Sequence, residues 1–146
     1  MENKITQKIT PFLWFEKGAE EAANYYVSVF KNSRILSSNP LVTSFEIDGL
    51  QIVILNGGQM FKLNEAFSLS ISCDTQDEID YYWEKLTDGG SDIQCGWLTD
   101  KFGVTWQVVP SILPELMSDP ENAKKVTAAF MPMKKLDIEI LKKSVE

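Results

Sequence analysis

Ala19-Glu20-Glu21-Ala22-Ala23-Asn24-Tyr25-Tyr26-Val27-Ser28-Val29-Phe30 has a counterpart further along the chain, Thr75-Gln76-Asp77-Glu78-Ile79-Asp80-Tyr81-Tyr82-Trp83-Glu84-Lys85-Leu86. In the first stretch Ala22, Ala23, Tyr26, Val27 and Phe30 fall on one side of a helix, with Glu20, Glu21 and Asn24 on the other. In the second, Ile79, Tyr82, Trp83 and Leu86 stand at i, i+3, i+4 and i+7. Acidic residues in each first turn suit the positive end of the helix dipole. Thr75 and Glu78 have the spacing of a capping box, and Gly89-Gly90 ends the second helix. Tyr82 follows Tyr26 by 56 positions.

Strand signals surround both helices. Residues 9–15 form an apolar, β-branched run, in which Pro11 belongs at an edge or bulge. After the first helix come a short strand at 33–36, a polar turn at Ser37-Ser38-Asn39-Pro40 and strands at 41–47 and 50–55. The last two are joined by Asp48-Gly49, a strong hairpin turn. Asn56-Gly57-Gly58 closes this module. Residues 66–72 then alternate Phe67, Leu69, Ile71 against Ser68, Ser70, Ser72, the period of a half-buried strand. Residues 93–98 and 104–109 are strand candidates joined through a turn at Asp100-Lys101-Phe102-Gly103. Gly103 follows Gly49 by 54 positions, close to the tyrosine offset. Two nearly equal offsets from unlike landmarks indicate a duplicated βαβββ unit. The reading is one α+β domain over residues 1–146, with one module at about 8–58, a second at about 66–110 and a helical extension at 111–146. In the extension, Asp119-Pro120-Glu121 reads as cap, first-turn proline and first-turn acid. That tail has no counterpart in the first module, so it is expected to pack across the sheets or against a partner chain.

Composition narrows the function. The chain has 146 residues, 14 Lys+Arg, 21 Asp+Glu and a formal net charge of −7. Such acidity argues against nucleic acid, whose phosphates need a basic footprint. No apolar run approaches the roughly 18 residues of a membrane span, and the polar stretch 1–10 does not read as a secretory signal. The expected address is the cytoplasm, where Cys73 and Cys95 would be free thiols. The chain contains 0 His, which removes Ser–His and Cys–His nucleophile pairs and histidine-based metal sites.

The modules resemble the vicinal-oxygen-chelate superfamily, which includes glyoxalase I, extradiol dioxygenases and bleomycin-resistance proteins, and within it the PhnB-like branch. The matching residues are Ile9-Thr10-Pro11-Phe12-Leu13-Trp14-Phe15, Glu20-Glu21-Ala22-Ala23 with Tyr26-Val27-Ser28-Val29-Phe30, Leu55-Asn56-Gly57-Gly58 and Phe61-Lys62. They continue through Gln94-Cys95-Gly96-Trp97-Leu98, Asp100-Lys101-Phe102-Gly103 and Trp106-Gln107-Val108-Val109-Pro110. Leu113-Pro114-Glu115-Leu116 and Met133-Lys134-Lys135-Leu136-Asp137-Ile138 extend the match into the tail. The resemblance implies a cupped mixed sheet (the glyoxalase/bleomycin-resistance fold) and a small-molecule ligand in the cup, and the apolar edges and faces that each half-cup would leave predict a homodimer. Its branch often carries the label 3-demethylubiquinone 3-methyltransferase-like. A methyltransferase of the common kind needs a glycine-rich turn leading from a strand into a helix, whereas Asn56-Gly57-Gly58 reads as a loop. Relatives also carry a longer Gly/Pro-rich loop where this chain has only Ser37 to Pro40.

Superfamily members hold a divalent ion on the first and last strands of each module. By resemblance, those positions correspond here to Thr10 or Pro11, Val53, Phe67 or Ser68, and Gln107. One neutral amide and a hydroxyl compensate a cation poorly for its lost water, so no metal and no cofactor are expected. Glu46, on the opposite face from Phe45 and Ile47, is a lone candidate base. Cys95 reads either as a thiol at the cup mouth or as a small residue packed beside Gly96. Trp106 is expected in the core if Gln107 faces the cup. The candidate ligand-binding set is Trp14, Phe15, Asn56, Cys95, Trp97 and Gln107, with one of Trp14 and Phe15 on the cup side. The leading expectation is a metal-independent binding protein. The alternatives are an enzyme with a degenerate divalent-metal site, or the methyltransferase of the label.

Overall fold

The computed structural model describes residues 7–146; the expectation for the polar stretch 1–10 falls largely on residues outside that span. The chain divides into two compact units, Met1–Leu63 and Asn64–Glu146. The first contains β1 (Phe12–Phe15), α1 (Ala19–Val29), β2 (Ser33–Ser38), β3 (Val42–Ile47) and β4 (Leu50–Asn56). Its sheet runs β1-β4-β3-β2, with β1 parallel to β4 and the other pairs antiparallel. The second contains β5 (Leu69–Cys73), α2 (Gln76–Thr87), β6 (Ser91–Asp92), β7 (Trp97–Thr99) and β8 (Thr105–Pro110). Its sheet repeats the plan as β5-β8-β7-β6, with β5 parallel to β8. The duplicated βαβββ unit is therefore present, and the class is α+β with C-terminal helices. Among the described residues no helix is long and apolar enough to cross a membrane.

In the first unit α1 lies on one sheet face. Ala19, Ala22 and Ala23 are buried, small enough to bring the helix close to the strands. Tyr26 is buried beneath the same helix, its ring stacked on Phe45 at 5.7 Å between centroids. Leu13, Phe15, Ile52 and Ile54 complete that core face, and the alternation along each strand turns Phe12, Trp14, Val53 and Leu55 to the other side. Asp48 and Gly49 both have positive φ (48° and 86°), as a two-residue type I′ hairpin requires.

Several expected boundaries move for local reasons. The first strand begins only at Phe12, because Pro11 has no N–H to contribute, although its carbonyl accepts from Val53 N at 3.0 Å. Ser37 and Ser38 belong to β2, paired with Ser44 and Thr43 beyond a register shift. The turn there is built on Asn39, whose Oδ1 accepts from the N–H groups of Leu41 and Val42. Phe67 and Ser68 precede β5 rather than opening it. The continuous strand expected at 93–98 is instead a turn between β6 and β7, with β7 starting only at Trp97, because Cys95 (φ 58°) and Gly96 (φ 86°) are both left-handed and interrupt the extended backbone. The α2 cap forms with one offset. Thr75 Oγ1 accepts from Glu78 N at 3.1 Å, but Glu78 Oε1 accepts from Asp74 N–H rather than from Thr75.

The extension folds as α3 (Leu113–Leu116), α4 (Pro120–Phe130) and α5 (Ile138–Lys143). Asp119 caps α4 and Asp137 caps α5. Val126, Leu136 and Leu141 form a buried cluster joined by Val109, Leu113, Phe130 and Met133, so the tail packs on its own unit. Lys135 Nζ stands 2.8 Å from Asp80 Oδ1, and the hydrogen bonds from Lys135 and Gln76 hold the Asp80 carboxyl below the usual carboxylate range.

Candidate functional site

The sheet face opposite α2 carries Ser70, Ser72, Trp97, Thr99, Thr105, Gln107 and Val109, because β5, β7 and β8 alternate in register. Trp97 is the direct antiparallel partner of Gln107. Gln107 Nε2 donates to Ser68 Oγ at 2.9 Å, which commits the amide's donor end and leaves Oε1 as its acceptor. Thr105, two residues before Gln107 on the same face, is 2% exposed, and its hydroxyl has no hydrogen-bond partner among the described residues. A buried hydroxyl left without a partner costs free energy. Neighbouring Trp106 points the other way, into the core, and its Nε1 donates to Asp100 Oδ2 at 2.8 Å.

In the first unit Trp14 takes the position that Phe15 does not. Phe15 is 5% exposed and belongs to the core face under α1, whereas Trp14 lies on the opposite face. Trp14 Nε1 donates to Gly58 O at 3.0 Å, and Phe61 meets its ring edge-on at 4.9 Å. A Cβ on Gly57 would stand 2.4 Å from the indole, so this close approach requires glycine. The same face carries a polar pair that the sequence reading did not single out. Gln51 Nε2 donates to Ser44 Oγ at 3.1 Å, while Gln51 Oε1 is buried without a partner among the described residues. The available signal was Gln51 as the one polar residue in the otherwise apolar run 50–55. Glu46, read as a lone candidate base, is instead paired with Arg34 at 3.3 Å.

Asn56 and Cys95 are placed elsewhere. Asn56 Oδ1 accepts from Ala19 N at 2.9 Å and its Nδ2 donates to Pro40 O at 3.0 Å. Its amide therefore ties the start of α1 to the β2–β3 turn, with both ends used by backbone groups. Cys95 sits in the β6–β7 turn against the C-terminal extension, where its Sγ lies 3.5 Å from Met131 O. Cys73 is fully buried, and burial, followed by Glu78 and Asp74, pushes its thiol up to about 12. An acid raised this far stabilises the fold below its unfolded value, and that stability is lost as pH rises from there toward the folded value. In the range above about 9 the unfolded chain has released the proton and the native chain has not, so stability should fall with rising pH. Cys73→Ala should flatten that alkaline slope, as measured by urea unfolding between pH 8 and 11. At pH 8 the native chain should take up one iodoacetamide, at Cys95; two modifications at equal rates would contradict the burial of Cys73.

The positions that hold metal in the superfamily can be tested residue by residue. Thr10 offers one neutral hydroxyl, Pro11, Val53 and Phe67 offer no side-chain donor, the Ser68 hydroxyl is engaged by Gln107, and Gln107 is a neutral amide. This donor set does not fit a divalent ion, and among the described residues no three His, Cys, Asp or Glu side chains are grouped to hold one. Asn56-Gly57-Gly58 leads into no helix before α2, so it lacks the strand–turn–helix arrangement of a nucleotide-cofactor cradle.

Two four-stranded mixed sheets of one plan, each with a helix on one face, define the glyoxalase/bleomycin-resistance fold, and comparison with known proteins agrees. A sequence model described as 3-demethylubiquinone-9 3-methyltransferase matches residues 7–109. The PhnB protein from Bacillus cereus, which carries the same methyltransferase name, is 34% identical with a TM-score of 0.65, over 71% of this chain and 99% of its own. A fosfomycin-resistance protein from Listeria monocytogenes, solved with Mn(II) and sulfate, is 17% identical with a TM-score of 0.58, over 79% of this chain and 98% of its own. A glyoxalase-related enzyme from Fulvimarina pelagi is 14% identical with a TM-score of 0.53, over 73% of this chain and 88% of its own. These last two likenesses are of fold alone. No curated protein matches the chain. The chain belongs to the 3-demethylubiquinone-9 3-methyltransferase-like (PhnB) family.

Proposed function

We propose that this chain binds a small organic molecule without a metal ion, on the sheet face that carries Trp97 and Gln107. The observation that supports this reading most is the half-buried Trp97 indole directly opposite the Gln107 amide, whose Oε1 remains as an acceptor. An apolar surface with a few fixed polar groups is the usual make-up of a small-molecule site. The ligand class is a planar aromatic body for Trp97 bearing an O–H or N–H donor for Gln107 Oε1. Trp14, seated over Gly57, offers an aromatic surface on the first unit taken by itself. Phe15, Asn56 and Cys95 leave the proposed set, because packing or backbone hydrogen bonds already account for them. We place the protein in the cytoplasm as a homodimer, with Phe12 and Phe61 (61% and 58% exposed) among the apolar side chains for a second copy to cover.

The test is thermal unfolding of metal-stripped protein with 2-naphthol, with Mn, Ni or Zn, and with adenosylmethionine. 2-Naphthol at about 100 times its dissociation constant should add about 2.7 kcal/mol. Trp97→Ala and Gln107→Leu should each weaken it at least about tenfold, an effect worth about 1.4 kcal/mol. Stabilisation by micromolar metal or by adenosylmethionine, with none by 2-naphthol, would overturn the reading.

A further inference from the structure

The turn that delivers Trp97 to its face is held by a segment far away in sequence. Cys95 N–H donates to Met133 O and Gly96 N–H donates to Lys134 O, both at 2.7 Å. On its other side, Gly96 O accepts from Val108 N at 2.7 Å, next to Gln107. The fit is tight in both directions: a Cβ on Gly96 would stand 2.9 Å from Val108 O and 3.0 Å from Leu136 Cδ1. Cys95 is left-handed there, a conformation disfavoured for any residue with a Cβ and kept only where surrounding contacts impose it. Those contacts come from residues 131–138. That segment is in turn fixed to α2, since Gln76 Nε2 donates to Leu136 O at 3.0 Å and Gln76 Oε1 accepts from Ile138 N at 2.8 Å. Lys135 on Asp80 and Lys134 on Asp92 add two ion pairs.

We propose that residues 131–138 are a strap that positions Trp97 and Gln107, so that docking of the C-terminal extension sets the affinity of the ligand face. The proposal rests on the ligand-binding reading above and gives the extension a role in it. The route is a chain of direct contacts: the Met133 and Lys134 carbonyls hold Cys95 and Gly96, Gly96 holds Val108, and Trp97 and Gln107 are the residues beside them. Gln76, Lys135 and the strap backbone act through these neighbours and are positioning groups that need not touch the ligand.

The experiment uses the full chain carrying Gln76→Ala together with Lys135→Ala, which releases the strap and leaves the β8 face unaltered. Residue-resolved hydrogen exchange at the Cys95 and Gly96 amides reports whether the strap has loosened, and titration with 2-naphthol reports the ligand face. Asp119→Ala, which loosens the cap of α4 without touching the 94–96 turn, controls for general destabilisation. The expected result is exchange at Cys95 and Gly96 at least tenfold faster and 2-naphthol binding at least fivefold weaker, with neither change in the control. Faster exchange with unchanged affinity would overturn the positioning role while leaving the ligand reading intact. Unchanged exchange would overturn it as well, because Gln76 and Lys135 would then not hold the strap. A wild-type chain that does not bind 2-naphthol would fail the ligand reading itself, and the strap's role in it would fall too.

Discussion

Asp100→Ala should lower folding stability by about 4 kcal/mol, from about 1–3 kcal/mol for each buried group left without its partner. Asp100 is 2% exposed, and its carboxylate accepts three N–H donors. Oδ1 takes Phe102 N at 2.8 Å and Val104 N at 3.1 Å, while Oδ2 takes Trp106 Nε1 at 2.8 Å. Alanine would leave Val104 N–H and the indole N–H buried without these acceptors, and bonds to a charged acceptor are among the stronger ones. Urea unfolding at pH 7 measures the loss. Trp106→Phe removes one donor and keeps the turn, so it should cost about 1–2 kcal/mol. The double variant should fall short of the sum, because the two substitutions share one bond. A loss under about 1 kcal/mol for Asp100→Ala would mean that water replaces the carboxylate, contrary to its burial.

The second large effect is expected at Gly90. A Cβ there would stand 2.2 Å from Thr99 O, 2.8 Å from Asp100 C and 2.9 Å from Asp100 Cα. All three are backbone atoms, so no rotamer change relieves the clash. Relief requires separating β6 from β7 where Ser91 pairs with Thr99. Gly90→Ala should therefore cost about 3 kcal/mol, the upper part of the usual range for overpacking. Gly103 is the internal comparison, since its φ is +92° but a Cβ would meet nothing within 4 Å. Gly103→Ala carries only the penalty of a left-handed backbone, about 1 kcal/mol. Equal losses at the two glycines would show that the Thr99 carbonyl yields to the added methyl, because Gly90, outside the left-handed region, carries no conformational penalty of its own.

These two sites mark how far the sequence can be read. Asp100-Lys101-Phe102-Gly103 is recognisable as a turn from its residues alone, and Gly89-Gly90 as a helix stop. That the Asp100 carboxylate organises the turn and anchors Trp106 depends on burial, which sequence pattern does not report. The glycine offset held although the turns differ: Asp48-Gly49 is a two-residue hairpin, whereas five residues separate Thr99 from Thr105. Gly49 and Gly103 both supply a positive φ, and that shared need makes them comparable landmarks.

The candidate site was partly legible for the same reason. Trp97 beside Gln107, and Trp106 in the core, follow from two-residue alternation once β7 and β8 pair. From sequence, Asn56 reads as a polar fixture of the cup, and Cys95 as a thiol at its mouth or a small residue beside Gly96. Yet Asn56 is used by Ala19 and Pro40, and the Cys95 backbone by Met133, partners 16 to 38 positions distant in the chain. Gln51 interrupts an apolar run and Ser44 lies among polar neighbours in β3, and the two acquire meaning together only once they share a face.

By itself the sequence determined the two helices, most of the strands, their duplication and the family, because periodicity, caps and turn glycines are set by residues within a few positions of one another. The tertiary structure decided which aromatic leaves the core, which amide is tied to backbone, where the strand at 93–98 breaks and what the extension holds. Each of these depends on hydrogen bonds and close contacts between segments tens of residues apart, and local pattern carries no record of which distant carbonyl or ring will be there.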